Sequence, residues 1–314
     1  DEAGKKTGKI THANGAKGIG ISNDGTLTLW EGNITGNTTD FYGGGVYVGE
    51  DSKFTMHGGS ITGNKCTNQG GGVYIHGTGT FTMDGGDITG NSGGGVGVGS
   101  GSKFTMSGGD ITGNGGGGVY LDGGTFTIED GSSIANNKDQ GGVYIYREGT
   151  FTMNGGDLNI TTYQGSDFSG NASGGNGGWG GGMGGDGNSS KTDISAKGIK
   201  SVGVYDSAGT TWKSGGDLII NGGTINIDSS DDSLHCGGDM QLLGGSMTLA
   251  TADDGAHSDH ALIIGSTGGG YDAPSVNITK SYEGIEGVDI TQNSGTVMVT
   301  SSDDGYNAAG GADG

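Results

Sequence analysis

Short runs in which apolar and polar residues alternate recur along the first half of the chain. Gly43 to Asn64 reads GGGVYVGEDSKFTMHGGSITGN, and Gly70 to Asn91 reads GGGVYIHGTGTFTMDGGDITGN. Gly93 to Asn114 and Gly116 to Asn137 follow the same plan, with a partial copy ending at Asn37 and another at Asn159. Each copy holds three runs, of the kinds V-Y-V, F-T-M and I-T. Alternation with period two predicts strands with one face inward. Glycine and asparagine between the runs supply tight turns. Phe54, Phe81, Phe104, Phe126 and Phe151 mark the beat at intervals of 22 to 27 residues. Such short runs pair with the same run of the next repeat rather than with their own neighbours. The prediction is an all-β fold, a right-handed parallel β-helix with three strands per coil.

Stacking in register puts equivalent residues into columns. Val46, Val73, Val96, Val119 and Val143 point inward, as do the five phenylalanines with Met56, Met83, Met106 and Met153. Asn37, Asn64, Asn91 and Asn114 are placed to form an amide ladder at a turn. Tyr47, Tyr74, Tyr120 and Tyr144 point outward, with Gly97 interrupting the row. That row suits sugar rings or a protein partner, or supports the sheet by cross-strand stacking.

The rhythm defines three segments. Residues 1–164 carry the repeats described so far, and 165–191 form a Gly-rich loop (GSDFSGNASGGNGGWGGGMGGDGNSS from Gly165). Residues 192–314 continue the β-helix with a different repeat, GDLIINGGTINIDSSDDSLHC from Gly216 and GDMQLLGGSMTLATADDGAHSD from Gly238. Here an acidic pair follows the third strand.

Composition narrows the function. Asp and Glu number 35 against 14 Lys and Arg, for a net charge of −21. That balance excludes a phosphate-binding, nucleic-acid role, and no stretch reaches the length of a membrane-spanning helix. Cys66 and Cys236 lie in distant repeats and read as two buried, unpaired thiols.

Aligned on the acidic phrases, the later coils give three columns. One reads Ala196, Asp231, Asp253, Tyr282, Asp303. The next reads Lys197, Asp232, Asp254, Glu283, Asp304. The third reads Lys200, His235, His257, Glu286, Asn307. Parallel strands lie about 4.8 Å apart, so stacked carboxylates repel unless neutralised. From Ala196 onward there are 16 acidic residues and four lysines. Two readings stand: Ca²⁺, which takes about six to eight oxygen ligands, or a solvated acidic face. The pair His235 and His257 is suited to a transition metal, without an evident full ligand set.

The phrases AKGIKS, GGDLIINGGTINIDSSDDSLH, TADDGAHSD, SYEGIEGVDI and SSDDGYNAAGG resemble the clostridial-type carbohydrate-binding β-helix family, similar in fold to the family nine polysaccharide lyases. The repeats of Gly43–Asn159 look like those of bacterial surface adhesins. The resemblance implies a secreted or surface-attached protein that binds acidic or plant-type polysaccharide such as pectin. It implies calcium held by Asp231, Asp232, Asp253, Asp254, Asp303 and Asp304, joined by Glu283 and Glu286. Tyr282 departs from it, standing where an Asp is expected, as does the insertion SVGVYDSAGTTWKSG. Tyr205, Trp212 and Tyr306 are candidates for stacking on sugars, with Lys200, His235 and His257 beside the ligand. A lyase alternative needs a lysine base with a lowered pKa, and carboxylate-rich surroundings raise it instead. A third alternative is a filament of this chain stacked head to tail, since neither end of the sequence shows a capping helix over its strand edges.

Overall fold

A computed structural model describes residues 8–12, 15–138, 141–162, 166, 197–205 and 212–308. The described chain is all strand and turn, coiled into a parallel β-helix of about 11 turns. Three parallel ladders run its length. The first joins Val46–Val48, Val73–Ile75, Val96–Val98, Val119–Asp122, Val143–Tyr146, Ile199–Ser201 and Leu234–Cys236. The second carries the F-T-M runs and the third the I-T runs.

Register is set by the inward columns, because a slip of one residue would turn every buried side chain to solvent. Phe54, Phe81, Phe104, Phe126 and Phe151 are fully buried. Their rings follow one another at 4.6, 4.8, 4.7 and 5.3 Å. The same column continues as Leu218, Met240 and Leu262. The coil thus keeps its interior while its sequence repeat changes.

The Gly-rich segment lies outside the described residues except for Ser166. Strands that precede it pair directly with strands that follow it: Val143 with Ile199, Phe151 with Leu218, and Leu158 with Ile225. The later insertion contains an antiparallel hairpin, Gly203–Tyr205 with Trp212–Gly215.

The asparagine ladder forms and gains a fifth member. Asn37, Asn64, Asn91 and Asn114 each donate from Nδ2 to the Oδ1 of the next, ending on Asn137, at 2.9 to 3.1 Å. Both cysteines are buried and unpaired. The tyrosine column corrects the expectation of an open outward row. Tyr74 and Tyr144 are only 7% and 8% exposed. Tyr42 packs on Tyr74 with ring centres 4.3 Å apart. Tyr74 also leans over Gly97, where an added Cβ would stand 2.7 Å from its ring. The break in the row therefore accommodates the neighbouring ring.

Candidate metal centre

The third strands of the later coils are Thr224–Ser229, Ser246–Thr251 and Ser275–Ser281; burial alternates along the first two and is broken near the end of the last. The acidic phrase then turns the corner into the first ladder. Hydroxyls satisfy this corner's backbone. Thr251 Oγ1 donates to the carbonyl of Asp231 and accepts from the Asp253 N–H at 3.0 Å. The amide of Ser230 donates to Thr162 Oγ1 at 3.1 Å.

The three predicted columns stack among the described residues; Ala196, at the head of the first, lies outside them. Lys200, His235, His257, Glu286 and Asn307 are successive partners on the first ladder. Corner amides link the second column: Gly198 N–H to Asp232, Ser233 N–H to Asp254, Gly255 N–H to Glu283 and Gly284 N–H to Asp304. In the first, Tyr282 N–H donates to Asp253 O at 2.7 Å and Asp303 N–H to Tyr282 O at 2.9 Å. Tyr282 thus holds the place expected for an Asp without interrupting the stack.

The solvated face is overturned for the inner coils. Asp231, Asp232, Asp253, Asp254, Glu283 and Glu286 are all buried, Asp232 and Asp254 to 1% exposure. Asp303 and Asp304 alone of the predicted carboxylates are exposed. Buried carboxylates need a cation or a proton, and part of the compensation is internal. Nζ of Lys197 donates to Asp231 Oδ1 at 3.1 Å and to Asp232 Oδ2. His235 Nδ1 meets Asp232 Oδ2 at 2.8 Å. Asp232 Oδ1 accepts from the Asp254 N–H at 3.1 Å.

One coil on, His257 Nδ1 lies 3.4 Å from both Asp254 Oδ2 and Glu286 Oε2. Its Nε2 lies 3.3 Å from Asp259 Oδ1. Asn307 closes the stack, donating to Glu283 Oε2 at 2.9 Å. Among the described residues, three sets of ligand atoms each lie within 4.8 Å of one another: Asp231, Asp232 and Asp253; Asp232, His235 and His257; Asp254, His257 and Glu286.

Electrostatics follows from burial and these partners. Burial alone would lower the Lys197 pKa, but Asp232 and Asp231 outweigh it and hold the ammonium protonated. Burial opposes ionisation of Asp232, yet Lys197 and His235 hold it well below the usual carboxylate range. Burial, with Asp232 adding, pushes Asp231 up to about 7 against Lys197. Burial and then Lys197 lower His235. His257 goes well above its usual value, because Asp254 and Asp259 override its burial. Burial, then Asp254, pushes Glu286 up to about 8.

A family model described as "Right handed beta helix region" matches residues 17–184, more than half of the chain. The chain belongs to the right-handed β-helix family. No match was found among curated proteins or among solved structures. The matched region stops short of the acidic coils, so the second half owes its place in the fold to the ladders that run through it.

Other expected site residues fall elsewhere. Lys200 Nζ stands 5.9 Å over the Tyr144 ring centre, a cation–π distance. Tyr205 and Trp212 are backbone partners in the hairpin, and their side chains lie outside the described residues. Tyr306 is exposed, with its hydroxyl donating to Gln292 Oε1 at 2.8 Å. Asp259, outside the three columns, lies 3.3 Å from His257 and 3.9 Å from His235. It stands two residues after His257, so strand alternation could have placed it on the same outward side.

Proposed function

We propose that this chain is a non-catalytic, extracellular binder of acidic polysaccharide, with an adhesive role at a cell surface and calcium at its acidic corner. The observation that carries the reading is the convergence of carboxylate oxygens from Asp231, Asp232 and Asp253 within 4.8 Å on adjacent coils. An all-oxygen set at that spacing fits calcium. Lys197 brings one positive charge to the two of Asp231 and Asp232, so the internal compensation is partial. Asp253 with Asp231 and Asp232 would hold one ion. Glu283, Asp303 and Asp304 would serve the outer coils, where the last two reach solvent. A bound calcium ion supplies charge that reconciles an acidic protein with uronate carboxylates. The exposed ring of Tyr306, two residues beyond Asp304, offers a face to a sugar. The resemblance of the later coils to carbohydrate-binding β-helices supports the same ligand class.

A lyase reading finds less support. Lys197 is held protonated between two aspartates, the reverse of what a general base needs. Lys200 is engaged over Tyr144, and Lys280 Nζ donates to the Ser166 carbonyl. Affinity electrophoresis through polygalacturonate tests the proposal. Retardation is expected with calcium, lost with a chelator and reduced by Asp253→Asn with Asp231→Asn. Equal migration with and without the polymer in millimolar calcium would refute it.

A further inference from the structure

The coil after the all-oxygen group has a different donor set, and it carries an inference independent of any glycan. His257 Nδ1 faces Asp254 Oδ2 and Glu286 Oε2 at the same distance, 3.4 Å. That is long for an N–H···O hydrogen bond. It is instead close to the separation of ligands around a tetrahedral ion, since four atoms at about 2.0–2.1 Å from a centre stand roughly 3.3–3.4 Å apart. Glu286, only 8% exposed, has a buried Oε2 without a hydrogen bond. On the far side of the imidazole, Nε2 lies 3.3 Å from Asp259 Oδ1. A carboxylate on that side would hold the Nε2 proton while an ion takes Nδ1, the usual support for a metal-ligating histidine.

We propose that Asp254, His257 and Glu286 form a binding site for one zinc-type transition-metal ion, oriented by Asp259. The nitrogen donor is what separates this group from its neighbour. Calcium takes oxygen ligands, whereas one imidazole with two carboxylates suits zinc and its neighbours in the first transition row. Asp254 and Glu286, which the family resemblance gives to calcium, both face a nitrogen donor here. Three protein ligands leave a fourth position, as zinc sites that bind an exogenous group have. His235, with its ring centre 4.9 Å from that of His257, is held by Asp232 and lies alongside.

Calorimetric titration with zinc alone tests the site. The full chain is stripped with chelator and then held in millimolar calcium. One zinc per chain is expected to bind despite the calcium. His257→Gln and Glu286→Gln should each weaken binding at least about 100-fold, and Asp259→Asn about tenfold. The double variant His57→Gln, His76→Gln, on the outer surface of the early coils, should leave it unchanged. Cobalt substitution of the unaltered chain gives a second measurement that no folding defect can confuse. Intense visible absorption of a four-coordinate ion, bleached by zinc, is expected. Absence of zinc binding at 100-fold excess over protein, affinity indifferent to His257 and Glu286, or a six-coordinate cobalt spectrum would each overturn the proposal.

Discussion

Replacing Asn91 by alanine probes the corner that later carries the carboxylates. Asn91 is 1% exposed. Its Oδ1 accepts from the Asn64 N–H at 2.9 Å and from Asn64 Nδ2 at 3.1 Å. Its Nδ2 donates to the Ile61 carbonyl at 2.9 Å and to Asn114 Oδ1 at 3.0 Å. After truncation, Asn64 Nδ2 keeps its bond to the Ile34 carbonyl, and Asn114 Oδ1 keeps the Asn91 N–H. The Asn64 N–H loses its acceptor, while the Ile61 carbonyl keeps its place in the ladder with Thr89. At about 1–3 kcal/mol for the one buried amide left unsatisfied, with smaller losses for the shared bonds, the cost is about 2–4 kcal/mol. Asn137→Ala makes an internal comparison. Its side chain makes three of these bonds, two from Asn114 and one to the Ile111 carbonyl, so its loss should be smaller by about 1 kcal/mol. Urea unfolding followed by circular dichroism measures both, provided the slope is unchanged. Hydrogen exchange on the flanking coils shows whether the loss stays local, as nearest-neighbour coupling in a solenoid predicts. A cost below about 1 kcal/mol for Asn91→Ala, or equal costs at the two positions, would refute the reasoning.

Other expectations follow from the same geometry. Lys197→Met leaves Asp231 and Asp232 buried without their ammonium, and should destabilise the calcium-free chain by about 3–5 kcal/mol; thermal melting should show that millimolar calcium restores most of the loss, and no recovery would count against calcium at that pair. Gly97→Tyr restores the repeat's own residue yet collides with the ring of Tyr74, so denaturation should show a loss of about 1–3 kcal/mol. Burial pushes the thiols of Cys66 and Cys236 up to about 11 and about 12. A thiol reagent at pH 8 should therefore label neither cysteine in the folded chain and both after denaturation, and rapid labelling of the native protein would contradict their burial.

The columns at the corner were legible because a parallel solenoid turns sequence period into spatial neighbourhood. Aligning SSDDSLH, TADDGAH and SYEGIEG was enough to place His235, His257 and Glu286 side by side, and the ladder register agrees residue for residue. The compensation at that corner was not legible. Lys197 aligns with Asp232 in the same column, yet alignment does not show that its ammonium reaches both Asp231 and Asp232. Asp259 ends the phrase TADDGAHSD but stands two residues past the last aligned column, on a strand whose register shifts between Ser258 and Ala261.

By itself the sequence determined the strands, their order and the inward columns. Those depend on local alternation and on repeat length, which are properties of the chain read in one dimension. Tertiary structure alone decided which outward residues stay outward. Tyr74 and Tyr144 have the alternation of exposed residues, but Tyr42 packs on the first and Lys200 stands over the second, both outside the tyrosine column. The aspartates of the corner read either as calcium ligands or as a solvated face, and those of the inner coils are buried. Burial depends on what packs across a column, and burial sets whether a carboxylate is solvated, paired with a lysine or available to a metal.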